Sequence, residues 1–172
     1  MIELLDASVP NEEHAENLML FGRLVGSWDV EATYFDREGN VTDERRAEWH
    51  CGWVMQGRAI QDVWISPPLE EQRRTGTSGL EYGMQFRMYE PQTDTWRGAW
   101  FDLASATIIE FVGRAVGEEI VIEGADPDGT LYRWVLSDIT SDAHTFTGYR
   151  SKDDGQTWLM GERFMLRRRG SR

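Results

Sequence analysis

Glu162 is the residue of this sequence best placed to do chemistry, because its carboxyl group stands among apolar side chains. Those side chains recur at every second position around it: Trp158, Met160, Phe164 and Leu166. Since side chains alternate between the two faces of a strand, the spacing predicts that Glu162 lies inside with them. A buried carboxyl group has a raised pKa and can anchor a ligand or act as a general base. The alternative is an ion pair with Arg150 or Arg133.

The same alternation predicts further polar groups on inward faces. They are Tyr34, Arg45, Gln61, Asp102 and Tyr132. Burying such a group costs about 1–3 kcal/mol unless a partner satisfies it. Arg45 suits the orientation of a ligand, and Asp102 suits either a site or a structural ion pair. Tyr34 and Tyr132 are either site groups or wall aromatics whose hydroxyl stays in water.

Aromatic residues are abundant, with eight Trp, seven Phe and five Tyr in 172 residues. Aromatic side chains favour strands, and they fill or line large cavities. The tryptophans predicted to form the wall of a ligand site are Trp49, Trp53, Trp100, Trp134 and Trp158. The sequence therefore predicts a ligand site made of these tryptophans together with Glu162, Arg45 and Tyr34, for a small hydrophobic or aromatic molecule.

No metal site or cofactor is predicted. His14, His50 and His144 share no ligand spacing, although an inward-facing His144 leaves axial ligation of a haem open. Cys51 lies between Trp49 and Trp53 and is predicted to be a core residue, not a nucleophile, because burial suppresses the thiolate. No phosphate loop and no Ser-His-Asp arrangement is recognisable.

The formal net charge of −12 argues against partners that carry phosphate groups. Nucleic acids and anionic membranes attract basic surfaces, so neither is expected to bind. The run from Arg167 to Arg169 is interpreted as the solvated end of a strand. Because the chain starts without a signal-peptide pattern and has no long apolar run, the expected location is the cytoplasm. The single cysteine excludes an internal disulfide.

The elements that must position these residues are mostly strands. A helix is predicted over 11–22, and a barrel over 24–168 completes one domain spanning 1–172. After the helix the apolar period changes to two, with turn residues between about ten short runs and no helix among them. These features predict an all-β fold, an antiparallel up-and-down β-barrel. The segment 67–79 is predicted to be an irregular, mobile flap, and 151–158 matches the Asp-box pattern of a β-hairpin.

The order of helix, Gly26-Ser27-Trp28 and meandering strands resembles the lipocalins and the wider calycin superfamily. The resemblance implies that Trp28 closes one end of the barrel and that an arginine near the last strand, Arg168 or Arg167, stacks on it. Three further phrases are similar to bacterial, intracellular lipocalin-like families of unknown function: Gly57-Arg58, Tyr89-Glu90-Pro91 and Trp96 to Trp100. The chain departs from secreted lipocalins in having no signal peptide, no disulfide and about ten strands instead of eight.

Three functions remain open from the sequence. The first is a barrel that binds a small, largely apolar or aromatic ligand. The second is a barrel enzyme that performs acid–base isomerisation, hydration or decarboxylation. The third is a filled barrel that acts through its outer surface as an oligomer, with a homodimer as the simplest case. An internal cavity of several hundred Å³ would favour the first two, and converging carboxyl or phenol groups would favour the enzyme.

Overall fold

A computed structural model describes residues 6–79 and 81–170. These residues form ten antiparallel strands that close into one barrel, in which each strand pairs with its neighbours in the chain and β1 pairs with β10. The strands are β1 Gly26–Phe35, β2 Val41–Val54, β3 Ala59–Ser66, β4 Glu81–Glu90, β5 Thr95–Asp102, β6 Thr107–Val116, β7 Glu119–Ala125, β8 Leu131–Ser137, β9 Ala143–Ser151 and β10 Leu159–Arg168. The predicted all-β, up-and-down barrel is confirmed.

A short helix covers one end of the barrel. One 3-10 turn, Glu12–His14, leads into the helix α1, Ala15–Gly22, and the Asn11 side chain caps the turn by accepting from the Glu13 backbone N–H at 3.2 Å. Phe21 of α1 is fully buried and meets the ring of Trp96 edge-on, with centroids 5.0 Å apart. This apolar contact fixes the helix across the opening and closes it.

Trp28 and Arg168 complete the closed end. Trp28 is fully buried, and its indole N–H donates to the Leu24 carbonyl at 2.8 Å. The Arg168 guanidinium lies 4.1 Å from the centre of the Trp28 ring, and it donates to the backbone carbonyls of Arg23, Val25 and Ser141. The predicted contact between Trp28 and Arg168 is confirmed. It arises because β1 and β10 pair with these two residues opposite each other.

The segment 67–79 is not a wholly irregular flap, and that prediction was wrong. It contains the helix α2, Leu69–Thr75, which has acidic residues in its first turn and arginines in its last. This order of charges suits the helix dipole, and Gly76 ends the helix in the left-handed conformation with φ 72°. Gln72 of α2 accepts from the Tyr82 hydroxyl at 2.7 Å, so the helix is tied to β4.

Within the described residues, no helix is long and apolar enough to cross a membrane.

The Asp-box pattern forms the turn between β9 and β10, as predicted. Asp153 accepts hydrogen bonds from Ser151, from the Thr157 backbone at 2.9 Å and from the Thr157 hydroxyl at 2.6 Å. These bonds hold the pKa of Asp153 down at about 2. Gly155 takes φ 81°, a conformation that favours glycine. The hairpin therefore begins β10 at a fixed place.

Candidate ligand cavity

The barrel encloses a cavity of about 350 Å³ that opens at the end opposite α1. Six tryptophan and phenylalanine side chains form part of its wall: Trp49, Trp64, Trp100, Trp134, Phe146 and Phe164. Phe164 lies between two of these rings, with its centroid 4.9 Å from Trp64 on one side and 4.9 Å from Phe146 on the other. Both contacts are stacked, so these three rings form one continuous aromatic side of the cavity.

Glycines in the wall make room for the large side chains. A Cβ at Gly83 would overlap the ring of Trp100, and a Cβ at Gly148 would overlap the carboxyl group of Glu162. Both glycines lie in strands beside the residue that they accommodate, on β4 and β9. The side chains of Trp100 and Glu162 fit into the wall only because Gly83 and Gly148 have no side chain that would occupy the same space.

The polar groups of the cavity collect at its mouth, around Glu81. The Glu81 carboxylate accepts from Arg45 at 2.7 Å, from the Tyr34 hydroxyl at 3.1 Å and from the Trp64 indole at 3.0 Å. Arg45 also lies over the Tyr34 ring, 4.6 Å from its centre. Three donors on one carboxylate use most of its hydrogen-bonding capacity.

Glu162 faces the same mouth with a weaker partner. Its side chain is 15% exposed, and its nearest cation, Arg150, is 53% exposed with 4.0 Å between nitrogen and oxygen. Burial raises the pKa of Glu162 and the nearby Glu81 carboxylate adds to the rise, whereas Arg150 opposes it. Arg133, the other predicted partner, instead pairs with Glu123 at 2.8 Å.

The two tyrosines at the mouth remain protonated at neutral pH. Burial, followed by the charges of Glu81 and Glu162, raises the pKa of Tyr34 far above its ordinary value. Burial and a hydrogen bond to Asp126 raise the pKa of Tyr132 to about 12.

Asp102 also lines the mouth, and its carboxylate accepts from the backbone of Ala104 at 2.8 Å, in the turn after β5.

His144 lies on the cavity floor, its ring edge-on to Trp28 with centroids 4.5 Å apart. Burial and the charges of Arg168 and Arg23 lower the pKa of His144 to about 4, so the ring is neutral at pH 7. Neighbouring atoms cover both ring nitrogens, and neither has a hydrogen-bond partner among the described residues. Axial ligation of a haem would therefore require the ring to turn.

Deeper in the barrel, neither the Cys51 thiol nor the ion pair of Asp62 and Arg87 is suited to react with a ligand. Burial raises the pKa of the Cys51 thiol to about 11, which suits the predicted core residue. Asp62 and Arg87 form an ion pair that is almost completely buried. In the described part of the chain, no three His, Cys, Asp or Glu residues come close enough together to hold a metal ion.

Five of the eight predicted site residues line the cavity: Tyr34, Trp49, Trp100, Trp134 and Glu162. Arg45 stands just beside it through its bond to Glu81. Trp53 lies inside the barrel but below the cavity, where it packs against Gly22 of α1.

Trp158 is not part of the wall, so that prediction was wrong. The register between β9 and β10 shifts between Met160 and Glu162, which reverses the side on which earlier residues point. Trp158 therefore lies on the outside, where Arg133 covers its ring at 4.1 Å. A bulge of this kind leaves no clear mark in the alternation of a sequence.

Gln61 was also assigned to the wrong face. Its neighbours Asp62 and Trp64 contact other inward residues, Arg87 and Phe164. Gln61 does not line the cavity and donates to the Met84 sulfur. Apolar residues occupy both faces of β3, so alternation does not distinguish the inner side.

The residues of the cavity that were missed include Trp64, Glu81 and Arg87. The signal for Trp64 was present, since it is one of eight tryptophans in an apolar strand. Glu81 begins β4 directly after the segment predicted as a flap, so nothing in its surroundings predicted an inward side chain. Arg87 belongs to a strand in which polar and apolar residues do not alternate cleanly.

Comparison with known proteins gives the fold a context. No family model and no curated protein matches the sequence. Among solved structures, the S-type phycobiliprotein lyase CPES from Guillardia theta is 12% identical, with a TM-score of 0.60, and the match covers 95% of this chain and all of that one. Rv2717c from M. tuberculosis is 14% identical, with a TM-score of 0.61, over 91% of this chain and 99% of that one.

This chain has the same lipocalin-like barrel fold as these two structures. The resemblance inferred from Gly26-Ser27-Trp28 is confirmed at the level of fold. At such low identities the likeness carries no function across, so the function has to be argued from the cavity itself.

Proposed function

We propose that the barrel binds a small, flat, largely apolar or aromatic molecule. The observation that carries the proposal is the cavity of about 350 Å³ lined by stacked aromatic rings. This volume lies at the lower end of the range for small-molecule sites, which are mostly apolar with a few placed polar groups. Burying apolar ligand surface against Trp64, Phe146 and Phe164 supplies the affinity, and the mouth supplies orientation.

A tetrapyrrole-like pigment is one candidate for this ligand. The support comes from a structural neighbour described as a phycobiliprotein lyase, with the same barrel fold. Such a molecule joins flat apolar rings to polar substituents, a combination that suits aromatic walls and a polar mouth. Smaller aromatic molecules with one polar end suit the same arrangement.

An acid–base enzyme is the second candidate, favoured by the convergence of Tyr34, Glu81 and Glu162 at the mouth. Three donors engage Glu81, and the raised pKa of Tyr34 makes it a weak proton donor near neutral pH. Glu162 is then the remaining group with the character of a general base. Because one base without a matched acid is a poor catalyst, the geometry favours binding over turnover.

The filled barrel is the least supported alternative, because an internal space of this size is not needed by a purely structural module. A homodimer stays a prediction.

Titration with N-phenyl-1-naphthylamine, a neutral probe whose fluorescence rises in apolar surroundings, tests the proposal. We expect one probe per chain and quenching of tryptophan emission, since four tryptophans line the cavity. The variant Trp134→Ala should weaken binding severalfold by removing part of the wall. Failure of the probe and of a panel of smaller naphthalenes to bind would overturn the proposal.

Trp158→Ala is the matched control, since it also removes one tryptophan but from the outside of the barrel. Its affinity for the probe should equal that of the wild type. Equal weakening by Trp134→Ala and Trp158→Ala would place the probe on the outer surface instead of in the cavity.

A further inference from the structure

We propose that the ligand of this cavity presents a protonated nitrogen, an amine or a protonated ring nitrogen, to the carboxylate of Glu162. The inference rests on the proposed binding function and adds the chemical class of the ligand. It starts from a difference between the two glutamates at the mouth.

Glu81 is satisfied by protein groups, whereas Glu162 is not. Glu81 accepts from Arg45, Tyr34 and Trp64. Glu162 accepts no side-chain or turn hydrogen bond from the described residues, and the 4.0 Å to Arg150 is too long for one. A carboxylate that is mostly buried and lacks donors is costly for the protein alone, and a ligand donor repays that cost.

The local backbone holds the Glu162 carboxyl group so that it faces the cavity. Gly148, directly opposite on β9, leaves the space that the carboxyl group fills. The register shift before Glu162 turns its side chain inward while Met160 stays on the other face. Gly148 and the bulge thus place one carboxylate in an aromatic wall.

The charges around the mouth favour a cation over an anion. Carboxylates of Glu81, Asp102, Asp126 and Glu162 line the cavity, against two arginines: Arg150 at the mouth and Arg87 deeper, which is already paired with Asp62. Arg45 is already committed to Asp43 and Glu81. A negatively charged ligand group would meet this excess of carboxylates in a poorly screened space, whereas a protonated nitrogen would be attracted.

The charged and titratable groups that face Glu162 determine how ligand affinity changes with pH. They are Tyr34 from β1, Glu81 from β4 and Arg150 from β9, with Arg45 of β2 behind Glu81. Tyr34 stays neutral across the acidic range, because burial raises its pKa far above the ordinary value. Binding of a cation should therefore weaken as pH falls and Glu162 takes up its proton.

Three matched probes separate charge from shape: 2-naphthylmethylamine, 2-naphthylmethanol and 2-naphthoate. Their dissociation constants follow from displacement of N-phenyl-1-naphthylamine at pH 7. We expect the wild type to bind the amine at least tenfold more tightly than the alcohol, and the naphthoate most weakly. Glu162→Gln should remove most of the preference for the amine while leaving the affinity for the alcohol within about twofold.

Glu110→Gln is the matched control, because it removes the same charge from an exposed residue of β6. It should keep the wild-type preference. Gly148→Ala provides a second variant, since its Cβ would push the Glu162 carboxyl group aside without removing it. The preference for the amine should fall there as well, and it should fall in the wild type when the pH is lowered to 4.5.

The results distinguish this inference from the function on which it rests. Equal affinities for the three probes, or a preference that Glu162→Gln leaves intact, would overturn the nitrogen site while the binding cavity stands. If neither N-phenyl-1-naphthylamine nor any of the three naphthalenes binds, the cavity function falls and this inference falls with it.

Discussion

The two ends of the barrel differ in the hydrogen-bond partners that they give to a charged residue. At the closed end, Arg168 donates to three backbone carbonyls and lies 4.1 Å from the centre of the Trp28 ring. At the open end, Glu162 has only a half-exposed arginine at 4.0 Å. A charged group whose hydrogen bonds are satisfied stabilises the fold, whereas a mostly buried one without donors is kept available for another molecule. The contrast predicts where substitutions reduce stability and where they change binding.

Trp28→Ala should break the closed end most severely. Removing a fully buried indole leaves a cavity beneath α1, and the expected loss is about 3–5 kcal/mol of unfolding free energy. Urea denaturation followed by circular dichroism measures it. Trp158→Ala, on the outside of the barrel, should lose clearly less. Equal losses would show that Trp28 does not close the barrel.

Arg168→Met should cost about 3 kcal/mol, because the carbonyls of Arg23, Val25 and Ser141 lose their shared donor. Arg167→Met is the matched control on the exposed face of the same strand, and it should change stability by less than about 0.5 kcal/mol. The same denaturation experiment compares them. A small loss for Arg168→Met would remove the energetic difference between the two ends.

His144→Leu should change how stability depends on pH. Because the pKa of His144 falls to about 4 on folding, the unfolded chain binds a proton between pH 6.5 and 4 that the folded chain does not. Stability contributed by the neutral ring is present above pH 6.5 and is lost as the pH falls. Between pH 7.5 and 4.5 the wild type should lose about 2–3 kcal/mol more than the variant. Parallel urea titrations at the two pH values would contradict this if both proteins lost the same amount.

Glu162→Gln should have the smallest effect on the ligand-free protein. The pair with Arg150 is long and half exposed, so its loss should change the unfolding free energy by less than about 1 kcal/mol. Thermal unfolding without ligand measures the change. A drop of several kcal/mol would make Glu162 half of a structural ion pair and would erase its contrast with Arg168.

The closed end was largely predictable from the sequence, and the open end only in part. Trp28 and Arg168 lie in regular stretches of β1 and β10, where alternation gives the correct face. The same counting failed at Trp158 because one shift in register reverses every side chain before it. A bulge is set by hydrogen bonding between two strands, which a single strand's pattern does not record.

The open end also depends on contacts between residues far apart in the chain. Glu81 binds Arg45 and Tyr34, which lie 36 and 47 residues away. Its role follows from the packing of β1, β2 and β4, not from its own neighbours. The helix α2 was missed for a different reason: seven residues with no buried side chain give no apolar period to detect.

Closure of the barrel by β1 and β10 has a consequence for synthesis. Trp28 lies on β1 and Arg168 on β10, so the ring of hydrogen bonds cannot close until β10 has left the ribosome. Until then β1 and the most recently made strand are open edges that can pair with other chains. A chain that stops before Leu159 would keep those two edges permanently and should accumulate as aggregates, even though its first nine strands are intact.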